Sequence, residues 1–199
     1  MRATYDDRGH VTVRAVLDEA TLAAARVHLA TLPGEALRTA PLTEPFLAGI
    51  SSDPRLVAIA VEVLGGPAEA FAATYLVKPP GVGLPALWHQ DGHPWQDRLH
   101  GAAAVTLWVA LDPSTPENGC LRVVPGSHRL PLHPLQPNDE APSIFGVELD
   151  PALVDEAAAT DVVLAAGDVS VHHPNLVHGS GPNRSAQPRR ALAVRYRAS

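Results

Sequence analysis

The sequence predicts a mainly β fold that carries helices at its N-terminal end and builds a sandwich or barrel from the rest. Three observations predict it. Twenty of the 199 residues are proline, about twice the usual ~5%, and proline breaks helices and confines strands. Up to about Glu69 the apolar residues recur at helical spacing. From Phe71 onward they fall in short runs between turn signals.

The first helix is expected over Leu17 to Leu29, Ala/Leu-rich, with Leu22 and Leu29 on one stripe and a stop before Pro33-Gly34. Asp53-Pro54 supplies an N-cap followed by proline at the first helical position. Arg55 to Leu64 then puts Leu56, Ile59, Ala60, Val63 and Leu64 on one face, and Gly65-Gly66 ends that helix. Strands are expected at Phe71–Val77, Ala86–Gln90, Ala103–Leu111, Leu121–Val124, Asp161–Leu164, Asp168–His172 and Ala191–Arg197. The polar, proline-rich stretch 130–151 reads as a long loop or lid. At roughly 150 residues per domain the chain reads as one domain, with 1–69 mostly helical and packed on a core formed by 70–199.

Composition narrows the partners. Net charge is -6, and no Lys/Arg run exceeds the pair Arg189-Arg190. Nucleic acid is therefore not expected as a partner, because phosphate neutralisation needs clustered cations. A basic membrane-surface helix is excluded on the same ground, and no apolar run approaches the ~20 residues that cross a bilayer. With one cysteine, Cys120, no internal disulfide forms. The N-terminus lacks the apolar core of a signal peptide. A soluble, cytoplasmic protein is the expectation.

Ten histidines are the first chemical clue. In Trp88-His89-Gln90-Asp91 the residues at i and i+2 share one face of a strand, so an imidazole and a carboxylate stand side by side. A second histidine from elsewhere would complete two His and one carboxylate, the facial set that suits non-haem Fe(II). The segment Gly167 to Ser180 offers His172, His173 and His178. Periodicity does not choose among them, because Pro174 interrupts the strand. A lone H-x-D is also common by chance, and His172 and His173 have a plain reading as satisfied polar residues beside a turn.

Four motifs in register carry a resemblance. Trp88-His89-Gln90-Asp91, Pro125-Gly126-Ser127-His128, Gly167-Asp168, and His178-Gly179-Ser180-Gly181-Pro182-Asn183 followed by Arg189 resemble the phytanoyl-CoA dioxygenase family. Lys78-Pro79-Pro80 and Asn118-Gly119-Cys120-Leu121 also have the family's look, and the resemblance covers nearly the whole chain. It implies a double-stranded β-helix (jelly-roll or cupin-like) core and an oxygenase that uses Fe(II), 2-oxoglutarate and O2. It implies His89, Asp91 and His178 as the iron ligands and Arg189 as the anchor of the 2-oxoglutarate far carboxylate. A planar guanidinium suits a carboxylate bidentately. Arg190 is the rival anchor. Strand alternation groups Arg190 with Leu192, Val194 and Tyr196, and Arg189 with Ala191, Ala193 and Arg195. If the bulky set packs on the helices, Arg189 looks into the barrel.

Ser180, Trp108 and Lys78 are carried as further 2-oxoglutarate contacts. Their plain readings are a turn residue, core, and an exposed salt bridge. Gln90 points away from the ligands and reads as a structural hydrogen-bonder, and Pro125-Gly126-Ser127-His128 as a fixed turn. His93, Trp95 and Arg195 are the expected substrate contacts. Related halogenases replace the carboxylate with a small residue, so Asp91 favours hydroxylation of an unactivated C–H bond. The alternatives are a cupin-type, metal-dependent isomerase or hydrolase, and a non-catalytic ligand-binding barrel.

Overall fold

The computed structural model describes residues 1–92, 95, 99 and 101–199. Four helices lie in the first third: α1 (Arg2–Arg8), α2 (Glu19–Thr31), α3 (Pro45–Ser51) and α4 (Pro54–Leu64). Local chemistry sets their ends. Asp18 caps α2 by accepting from the Thr21 N–H at 2.9 Å, which starts the helix two residues later than the apolar spacing alone suggests. Asp53 caps α4 ahead of Pro54, and Gly65 closes it in the left-handed conformation. The buried residues of α4 are Leu56, Ile59, Ala60 and Val63, four of the five expected on its inner face.

Among the described residues ten strands form two antiparallel sheets. The larger has the order β1 (His10–Val13), β10 (Val169–His172), β5 (Ala104–Ala110), β12 (Arg189–Ala198), β3 (Ala68–Lys78) and β2 (Leu37–Arg38). The smaller has the order β4 (Ala86–His89), β11 (His178–Ser180), β6 (Leu121–Val123) and β9 (Thr160–Val162). A short hairpin, β7 (Gln136–Pro137) with β8 (Val147–Glu148), lies in the stretch expected to be loop or lid. It is tied to the small sheet by Ile144 N–H donating to the Pro85 carbonyl and Leu149 N–H to the Trp88 carbonyl. All seven expected strands are present. The additional ones are two to four residues long and exist through pairing, since so few residues carry no periodicity.

Alternation along β5 and β12 divides the core in two. Val105, Leu107 and Val109 join Leu192, Val194, Tyr196 and the helices in one cluster. Trp108, Ala110, Ala191 and Ala193 face the other way, against Leu121, Val123 and Val162 of the small sheet. The bulky residues of β12 therefore pack on the helices, as the alternation requires, and its alanines line the space between the sheets. Cross-strand partners share a face, so register gives the inner surface of the large sheet as rows. One is His10–His172–Thr106–Arg195–Ala72, and the next is Thr12–Ser170–Trp108–Ala193–Thr74. Beyond the small residues Ala110 and Ala191, Lys78 and Arg189 pair at the far end.

Among the described residues no helix is long and apolar enough to cross a membrane. Leu192 is fully buried where β12 meets the helices. Leu192→Ala should therefore lower stability by about 2–5 kcal/mol, read as a reduced urea midpoint. An unchanged midpoint would mean that this layer contributes no packing.

Candidate active site

The pairing of β11 with β4 sets His178 directly opposite His89, and their ring centroids lie 4.1 Å apart. Asp91 follows β4 two residues after His89. Its Oδ1 lies 3.7 Å from His89 Nε2 and 3.9 Å from His178 Nε2. One donor atom from each of the three residues lies within 4.8 Å of the others, an arrangement that could hold a metal ion.

Both imidazoles are oriented from behind. His89 Nδ1 donates to the Leu87 carbonyl at 2.7 Å and His178 Nδ1 to the Leu176 carbonyl at 2.9 Å. A carbonyl only accepts, so the proton sits on Nδ1 and the bare Nε2 faces the centre. Burial pushes both histidines down to about 4, which keeps those lone pairs free at neutral pH. Burial acts upward on the Asp91 carboxyl. The close approach of His172 and the charges of His178 and Arg195 outweigh it and hold the group well below the usual carboxylate range.

The chain around the triad is fixed by the motif residues. Ser127 Oγ donates to the Val124 carbonyl at 2.6 Å and accepts from Val177 N–H at 2.9 Å, which seats the residue before His178. Pro125-Gly126-Ser127-His128 is thus a structural turn. Gln90 points away from the triad, donating to the carbonyls of Asn175 and Pro131 and accepting from His133 N–H. Asp168 accepts from the backbone of Ala15 and Ala165 and from Arg14, so Gly167-Asp168 is a brace. A Cβ on Gly167 would meet the Leu17 carbonyl oxygen at 2.4 Å.

Farther in, Arg189 is 1% exposed, and its guanidinium lies over the Trp108 ring at 5.1 Å. Its Nε and Nη1 have no hydrogen-bond partner among the described residues, and neither has Trp108 Nε1. Burial lowers Arg189 to about 10. Arg190 points the other way and grips Asp112, with Nε to Oδ2 at 2.7 Å and Nη2 to Oδ1 at 2.8 Å. Of the two, only Arg189 lines the inner cavity with the triad.

Lys78 corrects a plain reading. It is fully buried, not in an exposed salt bridge. Its Nζ donates to Ser180 Oγ at 2.7 Å and to the Gly181 carbonyl, and those oxygens give the buried amine the partners it needs. Gly119 keeps that corner open, since a Cβ there would stand 2.3 Å from the Gly181 oxygen. Ser180 is therefore more than a turn residue. Beside Lys78 it faces the cavity that also holds Trp108 and Arg189.

His172 likewise departs from its plain reading as a satisfied polar residue, since neither ring nitrogen has a hydrogen-bond partner among the described residues. His173 is satisfied, its Nδ1 accepting from Asn175 N–H. Sequence reasoning also missed Thr106, whose Oγ1 donates to Asp91 Oδ2 at 3.2 Å, and Phe145, whose ring lies 5.0 Å from that of His89. A threonine within the apolar run of β5 was the available signal for the first. Trp95 and Arg195 meet, the guanidinium lying 4.8 Å from the indole centroid. Both line an outer cavity of about 460 Å³ with Leu37, Thr74, Leu135, Phe145 and Val147. His93 lies outside the described residues.

A family model for phytanoyl-CoA dioxygenase (PhyH) matches residues 11–191. The chain belongs to the phytanoyl-CoA dioxygenase family. L-proline trans-4-hydroxylase from Streptomyces griseoviridis is 30% identical over 159 residues, covering 72% of this chain and 59% of that protein. Ectoine dioxygenase from Sphingopyxis alaskensis is 31% identical over 166 residues, covering 77% of this chain and 54% of the relative. This member of the family thus spans little more than half the length of these curated relatives. Among solved structures, EvdO2 from Micromonospora carbonacea var. aurantiaca, complexed with 2-oxoglutarate, superimposes with a TM-score of 0.83 at 27% identity, covering 100% of this chain and 89% of that one.

The geometry makes a discriminating expectation. His178→Ala should weaken Co(II) binding at least about 100-fold, since it removes one of three donors, whereas His173→Ala should leave it unchanged. Isothermal titration of the metal-free protein with Co(II) measures both, and the opposite ranking would remove His178 from the donor set.

Proposed function

We propose that this protein is a non-haem Fe(II)/2-oxoglutarate-dependent dioxygenase. It would hydroxylate an unactivated C–H bond of a small metabolite or natural-product intermediate, with release of succinate and CO2. The observation that carries the reading is the pairing of two features in one cavity: the His89/Asp91/His178 donor set, and a buried arginine with open N–H groups aimed into the same space. A metal-only isomerase or hydrolase has no use for that arginine, and a non-catalytic barrel has none for the donor set. The fold supports the reading too. The strands β3, β4, β5, β6, β9, β10, β11 and β12 fall in the large, small, large, small, small, large, small and large sheet in turn, the winding of a double-stranded β-helix. Residues 70–199 would form this core and 1–69 pack against it as one oxygenase unit.

The donor set fits Fe(II), with two neutral imidazoles, one carboxylate and positions left open. The deep end fits a dicarboxylate, since Arg189 offers a fork and Lys78 with Ser180 a second contact. When bound, iron and 2-oxoglutarate supply the activation of O2, coupled to oxidative decarboxylation of the co-substrate. Within this chain, His89, Asp91 and His178 hold the metal, and Arg189, Lys78 and Ser180 hold the far carboxylate. Trp108 walls the co-substrate, and Ala191 and Ala193 leave it room. Trp95 and Arg195 contact the substrate, as would His93. The outer cavity falls toward the small end of the range for ligand sites, which suits a compact substrate.

Anaerobic addition of Fe(II) and then 2-oxoglutarate should produce a weak visible charge-transfer band only with both present, and Arg189→Ala should weaken that response far more than Arg190→Ala. A tight metal complex that never develops the band would move the protein to the non-oxidative class.

Lys78 generates a second expectation. Burial and the nearby Arg189 push its ammonium down to about 6, so the free protein holds it largely neutral at about pH 7.5. A carboxylate placed beside it raises it again, and binding takes up a proton. Affinity for 2-oxoglutarate should be highest below pH 6 and fall as pH rises above it. Calorimetric titration of the Co(II)-loaded protein in phosphate and in Tris would show a buffer-dependent heat that Lys78→Met removes. Equal heats in the two buffers would exclude Lys78 from the contact.

A further inference from the structure

The carboxylate of Asp91 has two oxygens, and the surrounding residues treat them differently. Oδ1 faces the two Nε2 atoms at 3.7 and 3.9 Å. Oδ2 turns to the large sheet, where Thr106 Oγ1 donates to it at 3.2 Å and His172 Nε2 lies 3.5 Å away. Thr106 and His172 are direct cross-strand partners on β5 and β10, so they stand on one face and reach the same atom. Neither is solvated, each being about 1% exposed.

The unexplained feature is the imidazole of His172. Burying a polar group without a partner is costly, and neither of its nitrogens makes a hydrogen bond within the described chain. The oxygen that its Nε2 approaches is Asp91 Oδ2, a few tenths of an ångström beyond ordinary hydrogen-bond length. In the neighbouring row Ser170 is already engaged by His10 Nε2 at 3.1 Å.

We infer that Thr106 and His172 are positioning residues that engage the outer oxygen of Asp91 and so leave only the inner one to the metal. The inference rests on the iron reading above. Its consequence is coordination number. A carboxylate binds a metal through one oxygen or through both, and a second oxygen would take a position that a co-substrate and O2 require. Two donors on Oδ2 prevent that, Thr106 through its hydroxyl and His172 through Nε2–H, which fixes the tautomer of His172 as the Nε2-protonated one.

The test uses Co(II) in place of Fe(II) and reads metal affinity and the visible cobalt spectrum, neither of which depends on turnover. Two variants remove the donors, His172→Leu and Thr106→Val, and two keep a donor, His172→Gln and Thr106→Ser. The donor-removing pair should lose about 10–100-fold in Co(II) affinity and shift the cobalt bands as the second oxygen joins. The donor-keeping pair should stay close to wild type in both. Thermal melting of each metal-free variant separates this from loss of fold. Equal affinity and spectra in all four would overturn the inference while leaving the iron reading intact. Loss in all four, tracking a lowered melting temperature, would make the residues packing elements and overturn it as well. A wild-type chain that binds no Co(II) would remove the iron reading and this inference together.

Discussion

Everything at the site depends on how two very short strands pair. β4 and β11 have four and three residues, and their register sets His89 against His178. Slipping that register by one residue would turn a histidine to the opposite face. So short a pairing has little intrinsic hold, and the surrounding chain supplies the rest. Ser127 clamps the approach to β11, Gln90 gathers two segments behind β4, and Gly92 N–H reaches the Pro174 carbonyl. The motif residues that donate nothing to the triad are the ones that hold those that do.

The large sheet contributes a graded wall. Its deep end is cationic, with Lys78 and Arg189 side by side. Its middle is small and aromatic, with Ala191, Ala193 and Trp108. The end nearest the triad is polar, with His172, Thr106 and Arg195. Strand alternation produces this ordering cheaply. The same strands present Leu192, Val194 and Val109 to the helices on the reverse face, so stability and site chemistry are assigned to opposite parities of one sequence. A substitution at one parity disturbs the other only through the backbone.

Much of this was legible in the sequence. Periodicity marks α2, α4 and seven strands, and parity separates Arg189 from Arg190 once the bulky residues of β12 are packed on the helices. What it missed has physical reasons. β11 is His178-Gly179-Ser180, with no strand propensity of its own, so only partners define it. The plain reading of Lys78 is an exposed salt bridge, because lysine is almost never fully buried, and only the family resemblance carries it inward. The carbonyl and hydroxyl that receive it lie about a hundred residues away in the chain. His172 was within reach. Val169 and Val171 of β10 face the helices, which puts Ser170 and His172 inward, but Pro174 interrupts the strand, and periodicity does not choose among His172, His173 and His178.

The pairing of β1 with β10 has a consequence for how the molecule is assembled. His10 and Ser170, joined by a side-chain hydrogen bond, are 160 residues apart in the chain, and β12 occupies the middle of the large sheet between β3 and β5. Until β12 has been synthesised, β3 and β5 have no neighbour to join them, and the wall behind Asp91 is open. Such long loops close slowly and late. The two sheets therefore enclose the cavity only once contacts distant in the chain have formed, and the pairing that brings His178 to His89 is one of them.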